Sequence, residues 1–281
     1  MKIAPLLGLT ALQLLIIAGV HNPFASATTA EAPWLADLNA DALLIEDGEG
    51  NRRRLERVED TWILQPEGLP VDSGKLERLL TRMEALAPTQ PLATSEGAAK
   101  RFAVDEAADF ERRVTLTTVG EGQTFLLGRS QGPRHSALRW DGDRAIYRVA
   151  LTTADWPVTV EGWLDRALLA VPEETQGSLT VGSTVVGEDG DQAATLRQRL
   201  AGLRVTRLAT EDEQGEAEAL ETLTVQVNNG KALTLRLSRL GPKDGPTGYV
   251  VTSSARPESF YLAPYQGRPI VDAMAAPGPK P

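Results

Sequence analysis

The chain contains no cysteine. Disulfide staples, thiol nucleophiles, iron–sulfur clusters and thiolate zinc sites are therefore excluded, and a body of this size has to rely on its core. Histidine is nearly as scarce, with two in 281 residues. His21 falls in an apolar leader, so any imidazole chemistry rests on His135 alone. A cluster of histidine ligands cannot be built from it. A Ser–His–Asp triad would have to use it within Gly132-Pro133-Arg134-His135-Ser136, and one histidine gives little for such a geometry to stand on. His135 reads better as a surface or strand-end residue. Aromatics make up 5% of the chain, sparse for a surface that stacks on sugar rings. Trp156 and Trp163 could line a groove, but their spacing suits packing. A phosphate-cradling loop is also missing, since Gly128-Arg129-Ser130-Gln131-Gly132 lacks the lysine and the strand–helix setting. No catalytic, cofactor-binding or metal-binding residue is assigned from the sequence, and no cofactor is implied.

One long apolar run exists, over residues 3–20, and no later stretch is long and apolar enough to span a bilayer. A basic start at Lys2 and the small-x-small Ala25-Ser26-Ala27 give it the form of a secretory signal. A membrane-crossing helix needs about 17–25 apolar residues, so the run also suffices as a retained signal-anchor. Either way the body is exported; the two differ in whether it stays tethered. With Lys2 set aside the chain has 28 basic and 38 acidic residues. That excess of acid favours solubility and repels phosphate backbones, which excludes nucleic acid as a partner. Arg52-Arg53-Arg54 is surrounded by acids and reads as a solvated strand face.

Along the chain, residues 28–40 form a polar, alanine-rich linker, with Trp34 and Leu35 either packed on the body or lying at the membrane surface. Short strands follow around Leu43-Leu44-Ile45, Leu55 to Val58 and Thr61 to Leu64. Asp47-Gly48-Glu49-Gly50-Asn51 makes a turn between the first two. Asp72 is an N-cap, and Val71 with Leu76 forms a hydrophobic staple. Leu76, Leu79, Leu80, Met83 and Leu86 then recur at helical spacing. Hairpins follow over residues 114–127 and 136–149, then a short helix carrying Val160, Trp163, Leu164, Ala167 and Leu168. The second half repeats this order. It has strands at Leu179 and Val186 and a helix with Ala193, Leu196, Leu200 and Leu203. Two further hairpins follow, one turning at Asn229-Gly230, and a helix around Ile270 and Met274 closes the chain. Glu188-Asp189-Gly190-Asp191 resembles a calcium-loop fragment but lacks the spaced ligands of one. Residues 211–218 read as an acidic, solvated loop. The expected fold is α+β. It comprises a membrane segment (1–27), a linker (28–40), two similar modules (41–170 and 171–275) and a disordered tail (276–281). Each module is a hairpin-rich antiparallel sheet packed with an amphipathic helix.

Several segments resemble a bacterial family known as the domain of unknown function 4340. They are Leu69-Pro-Val-Asp-Ser-Gly-Lys-Leu-Glu-Arg-Leu-Leu80, Phe110-Glu-Arg-Arg-Val-Thr-Leu116, Leu126-Leu-Gly128, Ala145-Ile-Tyr147 and Trp163-Leu-Asp-Arg-Ala-Leu-Leu169. The resemblance implies one N-terminal membrane helix, an extracytoplasmic body and a link with ABC-type export systems. It brings no active site. The expected role is that of a non-enzymatic accessory or interaction subunit of an envelope assembly such as an ABC-type transport system. It would sit in the cell membrane with its body in the periplasm, or be secreted or periplasmic after cleavage. A small-ligand or glycan-binding module is the alternative, and a carboxylate-dependent hydrolase ranks third.

Overall fold

A computed structural model describes residues 32–35, 38–107, 109–118, 121–187, 190–227 and 231–276. The apolar leader, the hairpin turn at Asn229-Gly230, Glu188-Asp189 and residues 277–281 lie outside the described residues.

The fold is α+β, built on two large antiparallel sheets. At the centre of the first lies β1 (Ala42–Glu46). On one side of it run β2 (Arg52–Val58), β3 (Thr61–Gln65) and β4 (Leu69–Pro70). On the other run β7 (Arg112–Thr118), β8 (Glu121–Ser130), β9 (Ser136–Trp140) and β10 (Ile146–Val149). Between β4 and β7 the chain makes α1 (Ser73–Glu84), α2 (Glu96–Phe102) and a two-stranded ribbon of β5 (Val104–Asp105) and β6 (Asp109–Phe110).

In the second sheet β11 (Gln176–Val181) lies between the edge strand β12 (Thr184–Gly187) and β14 (Glu218–Val227). β15 (Ala232–Leu240), β16 (Gly248–Ser253), β17 (Arg256–Leu262) and the short β13 (Arg207–Leu208) complete it. Its helices are α3 (Asp191–Ala201), α4 (Glu211–Glu216) and α5 (Pro264–Ala275). The two sheets share one strand order. The run β10-β9-β8-β7-β1-β2 in the first matches β17-β16-β15-β14-β11-β12 in the second. In each, a hairpin is followed by a helix, with β3 and β4 intervening in the first, and four consecutive strands return to lie beside the hairpin's first strand.

The local chemistry explains these elements. Leu43 and Ile45 are buried while Leu44 between them is half-buried, the period-two pattern of a strand with one face on a core. In α1 the Asp72 carboxylate accepts the Lys75 amide at 2.8 Å. Val71 and Leu76 are both buried around that cap, and Leu79 and Met83 continue the stripe. Burying three such side chains contributes about 1.5–3 kcal/mol each. One apolar cluster runs from Leu35 to Met274 and includes residues under both sheets. Across the junction the Val171 amide donates to the Leu200 carbonyl at 3.2 Å, and Val205 donates to Arg166 at 2.9 Å. The two halves thus share one apolar cluster and are joined by backbone bonds.

A smaller cluster of Ala98, Val104, Leu126, Ala137 and Ile146 covers the opposite face of the first sheet near β8 to β10. Consecutive Leu126 and Leu127 are both buried because this strand is covered on both sides. Gly128 is required by the same closeness: a Cβ there would overlap the backbone carbonyls of Phe102 and Ala103 at the end of α2.

Four expectations need correction. The segment carrying Val160, Trp163 and Leu164 is a chain of turns rather than a helix. Leu164 forms a β-bridge to Val71, and the Trp163 carbonyl accepts the Asp72 amide at 2.7 Å, so long-range pairing takes the backbone away from helix. Leu203 is buried but lies beyond α3, which ends at Ala201. Arg53 is not solvated. Its side chain is 12% exposed and its Nη1 reaches both Glu67 carboxylate oxygens, at 2.8 and 2.7 Å. The acidic run after Thr210 is a helix, α4, rather than a loop.

That short helix is held by a capping box. Thr210 Oγ1 accepts the Glu213 amide at 3.3 Å, and the Glu213 carboxylate accepts the Thr210 amide at 3.0 Å. Arg207 then grips both oxygens of Glu213 at 2.6 and 2.7 Å, with its guanidinium 4.2 Å from the Tyr261 ring centre. The Arg207 hydrogen bonds, helped by Thr210, hold the Glu213 carboxyl at about 2 against the opposing effect of burial.

Two outcomes are expected. Gly128→Ala should cost about 3 kcal/mol, since backbone rather than a flexible side chain has to give way; the urea midpoint should fall with an unchanged slope. The Glu213 carboxyl ionises more readily folded than unfolded. Its contribution is therefore complete above about 4.5 and is lost as pH falls from there towards 2. Glu213→Gln should lower stability at pH 7 by about 1 kcal/mol, with the gap to the native chain closing across that acid window in urea titrations.

Candidate functional site

The candidate residues from the sequence are dispersed. His135 lies in the β8–β9 turn, its Nδ1 2.7 Å from the Pro133 carbonyl. Gly128-Arg129-Ser130-Gln131-Gly132 does spell Gly-x-Ser-x-Gly, the pattern of a nucleophile elbow, which the phosphate-loop reading overlooks. An elbow needs a sharp strand-to-helix turn. Here the serine ends β8 and enters a hairpin, with its hydroxyl donating to the Gly132 carbonyl at 3.1 Å. Asp47 turns its carboxylate inward, accepting from the Glu49 and Asn51 amides at 3.0 and 2.9 Å and from the Asn51 side chain at 2.9 Å. Desolvation pushes its pKa up, but the bonds from Asn51 and Glu49 outweigh it and hold the carboxyl below its ordinary value. Those oxygens close a turn. Among the described residues no three His, Asp or Glu side chains gather where a metal ion could sit.

The aromatics lie largely inside. Trp156 and Trp163 are fully buried. They end a chain of tilted and edge-to-face rings that runs Trp34–Trp140 (5.8 Å), Trp140–Phe125 (5.5 Å), Phe125–Trp156 (5.5 Å) and Trp156–Trp163 (6.5 Å). Trp34 also meets Tyr147 at 4.8 Å and donates its amide to the Leu86 carbonyl at 3.0 Å. Leu35 beside it is buried. Of the two places open to this pair, the body is the one they occupy. The connector is docked one residue after the α1 C-cap, Ala85.

A groove of about 570 Å³ runs along α1, lined by Lys75, Glu77, Arg78, Leu79, Arg82 and Asp155 among others. Lys75 donates to the Gly162 carbonyl with its ammonium 4.6 Å from the Trp163 ring centre. Burial lowers its pKa. Arg82 meets Asp155 at 2.6 Å, and Asp155 accepts from the Thr152 amide and hydroxyl at 2.8 and 2.9 Å. Desolvation raises the Asp155 pKa, and the Arg82 and Thr152 bonds more than reverse it. Arg78, between the two bound cations, is exposed and makes no ion pair with a described residue. Three cations at positions i, i+3 and i+7 share one helix face, an arrangement able to hold a small anion. The sequence displays this spacing, but it looks like any solvated face until Gly162 and Asp155 are brought against it.

The sheet edges differ from one another. β4 is covered by residues 163–165, where the Asp165 amide donates to Pro70 at 2.9 Å. β10 is covered by residues 92–93, through bonds of 2.7 and 2.9 Å with Ile146. β13 is two residues long, carries Arg207 and leads into α4. β12 ends the second sheet with Thr184-Val185-Val186-Gly187, uncharged, and Val185 is 64% exposed. Short length, bulges, charge and coverage are the usual protections of a strand edge; β12 is short, its pairing with β11 shifts register between Leu179 and Thr180, and among the described residues no further strand pairs with it.

Among the described residues no helix is long and apolar enough to cross a membrane. Two of the segments that carried the family resemblance meet in space, because Pro70 to Asp72 pair with Trp163 to Asp165. No curated protein and no solved structure shows a significant match to the chain. The profile of the family described as Domain of unknown function (DUF4340) matches residues 62–246, more than half of the chain and spanning parts of both sheets. The chain belongs to that family.

Proposed function

We propose that the chain is a non-enzymatic, membrane-tethered accessory subunit of an envelope assembly, such as an ABC-type transport system, with its body on the extracytoplasmic side. The observation that carries this reading is the docked connector. Residues 21–33 separate the apolar run from Trp34, where the chain grips the body. Thirteen residues reach at most about 45 Å, so a retained leader would hold the body close to the bilayer. The shared strand order supports two copies of one module, and β12, the outer strand of its sheet among the described residues, offers a place for strand addition by a partner. In this role the apolar leader is the anchor and the two modules present the contact surface. Cleavage after Ala27 is the competing outcome and would leave the body free.

Alkaline carbonate extraction of native membranes should leave the intact chain in the pellet. A soluble chain whose N-terminus begins at Thr28 would remove the tether. Crosslinking in those membranes followed by capture should recover a membrane partner, and repeated recovery of the chain alone would count against an accessory role. Trp34→Ala should loosen the connector, costing about 1–2 kcal/mol of stability and speeding proteolysis before residue 38. Unchanged protection would mean that the docking does not hold the connector.

A second function, small-anion binding, is favoured by the α1 groove and its unpaired Arg78. Titration with inorganic phosphate should give a binding heat that Arg78→Ala removes; no heat with the native chain would dismiss it. Glycan binding is disfavoured by the burial of Trp156 and Trp163, the rings that would stack on sugars.

A further inference from the structure

We infer that the open face of the second sheet holds a tetrahedral oxyanion, a phosphate or sulfate group, with Arg236 as its principal donor. Arg236 lies in the middle of β15 between the buried Leu235 and Leu237, so its exposed side chain stands on the face away from the core. The register sets Thr222 of β14 and Thr252 of β16 directly beside it. Thr234, two residues before it, shares that face. A cavity of about 290 Å³ is lined by Thr234, Arg236, Thr252 and Ser254 among others.

Charge sets this arginine apart from a merely solvated one. Arg52, Arg54, Arg139 and Arg239, on strands of the two sheets, each meet a glutamate. Arg236 makes no ion pair and no side-chain hydrogen bond with a described residue. Its neighbours on the face carry no carboxylate: Thr222 and Thr252 lie across from it, Thr234 and Ser238 along the strand. Glu221, next to Thr222, lies instead against Gly182 in the β11–β12 turn. The acids of α4 begin where Gln214 accepts the Ser259 hydroxyl at 3.0 Å on β17, two strands from β15. Two strand spacings are about 10 Å, one screening length at 0.1 M salt. The net charge of −9 opposes any anion at long range, so this site has to act at contact.

The hydroxyls are placed to donate. Ser254 Oγ accepts the Thr234 amide at 2.9 Å, and the Ser254 amide donates to the Thr234 carbonyl at 2.9 Å. These bonds fix the serine and leave its proton for a ligand. The hydroxyls of Thr234 and Thr252 bond no described residue. A guanidinium fork engages two oxygens of an oxyanion. A carboxylate then has no further oxygen, whereas phosphate and sulfate keep two for the hydroxyls. The hydroxyl donors beside the fork therefore select the tetrahedral group. The site lies in the second half, apart from the α1 groove, and needs no tether.

The test labels arginines of the full chain in a non-ionic detergent with phenylglyoxal, at fixed pH and ionic strength. Modification is read residue by residue by mass spectrometry. Inorganic phosphate or sulfate should slow the labelling of Arg236 about tenfold relative to chloride, the worth of one charge-assisted bond. Acetate should protect far less. Arg129, exposed at the end of β8, should label at one rate throughout. Glycerol phosphate separates the sources: protection equal to that by phosphate assigns the phosphate ester of a larger molecule, and weaker protection assigns the free anion. Thr252→Val keeps the side chain's shape and should raise the phosphate needed about threefold, with circular dichroism unchanged. Arg236 labelled as fast in phosphate and sulfate as in chloride overturns the inference, and equal protection by acetate overturns the tetrahedral assignment. Each arginine is read separately, so protection of Arg78 alone would support the α1 groove and overturn this site.

Discussion

The short ladder between Pro70–Val71–Asp72 and Trp163–Leu164–Asp165 is the contact on which the first half depends. Three backbone segments meet there. It closes the edge of β4, sets the first turn of α1 and fixes Trp163 beneath Lys75. From Asp165 the chain continues to Arg166 and Val171, whose backbones bond to Val205 and Leu200 of the second half. One ladder thus ends a sheet, starts a helix and leads into the junction. Breaking it would release buried amides and carbonyls together, and each one left unpaired costs about 1–3 kcal/mol.

The ladder also brings together two of the segments that resemble the family. Leu69 to Leu80 and Trp163 to Leu169 are far apart in sequence and adjacent in the fold. Asp72 serves its helix as N-cap and receives Lys75, while Gly162 leaves room for Pro157, which a Cβ there would overlap. These residues are packing and capping devices. The same place nonetheless gathers Lys75, Arg78 and Arg82 in a groove, so a structural signature and a candidate binding surface share one helix.

What the sequence disclosed was local. Leu43 and Ile45 alternate with Leu44, and Val71, Asp72 and Leu76 announce α1 within six residues, because such signals depend on neighbours along the chain. The strand hairpins and the repeated order of elements were legible for the same reason. The turns around Val160 to Leu164 were not. Their apolar spacing imitates a helix, and only pairing with Val71, ninety residues away, removes the imitation. The helix after Thr210 was hidden by its acids, since the stabilising arginine comes from β13 rather than from within the run. The burial of Arg53 likewise needed Glu67, brought close by the turn between β3 and β4. The α1 groove was invisible because Asp155, which closes it against Arg82, is distant in sequence.

The docked connector has a mechanical meaning. A pull on the N-terminus, whatever it is fastened to, arrives first at Trp34 and at the Leu86 carbonyl. From there the load divides between the end of α1 and the row of rings through Trp140 and Phe125. The attachment therefore works as a strain relief, like a knotted cable at the wall of its housing: tension is shared by edge-to-face rings and the end of α1 before it passes along the chain to β1.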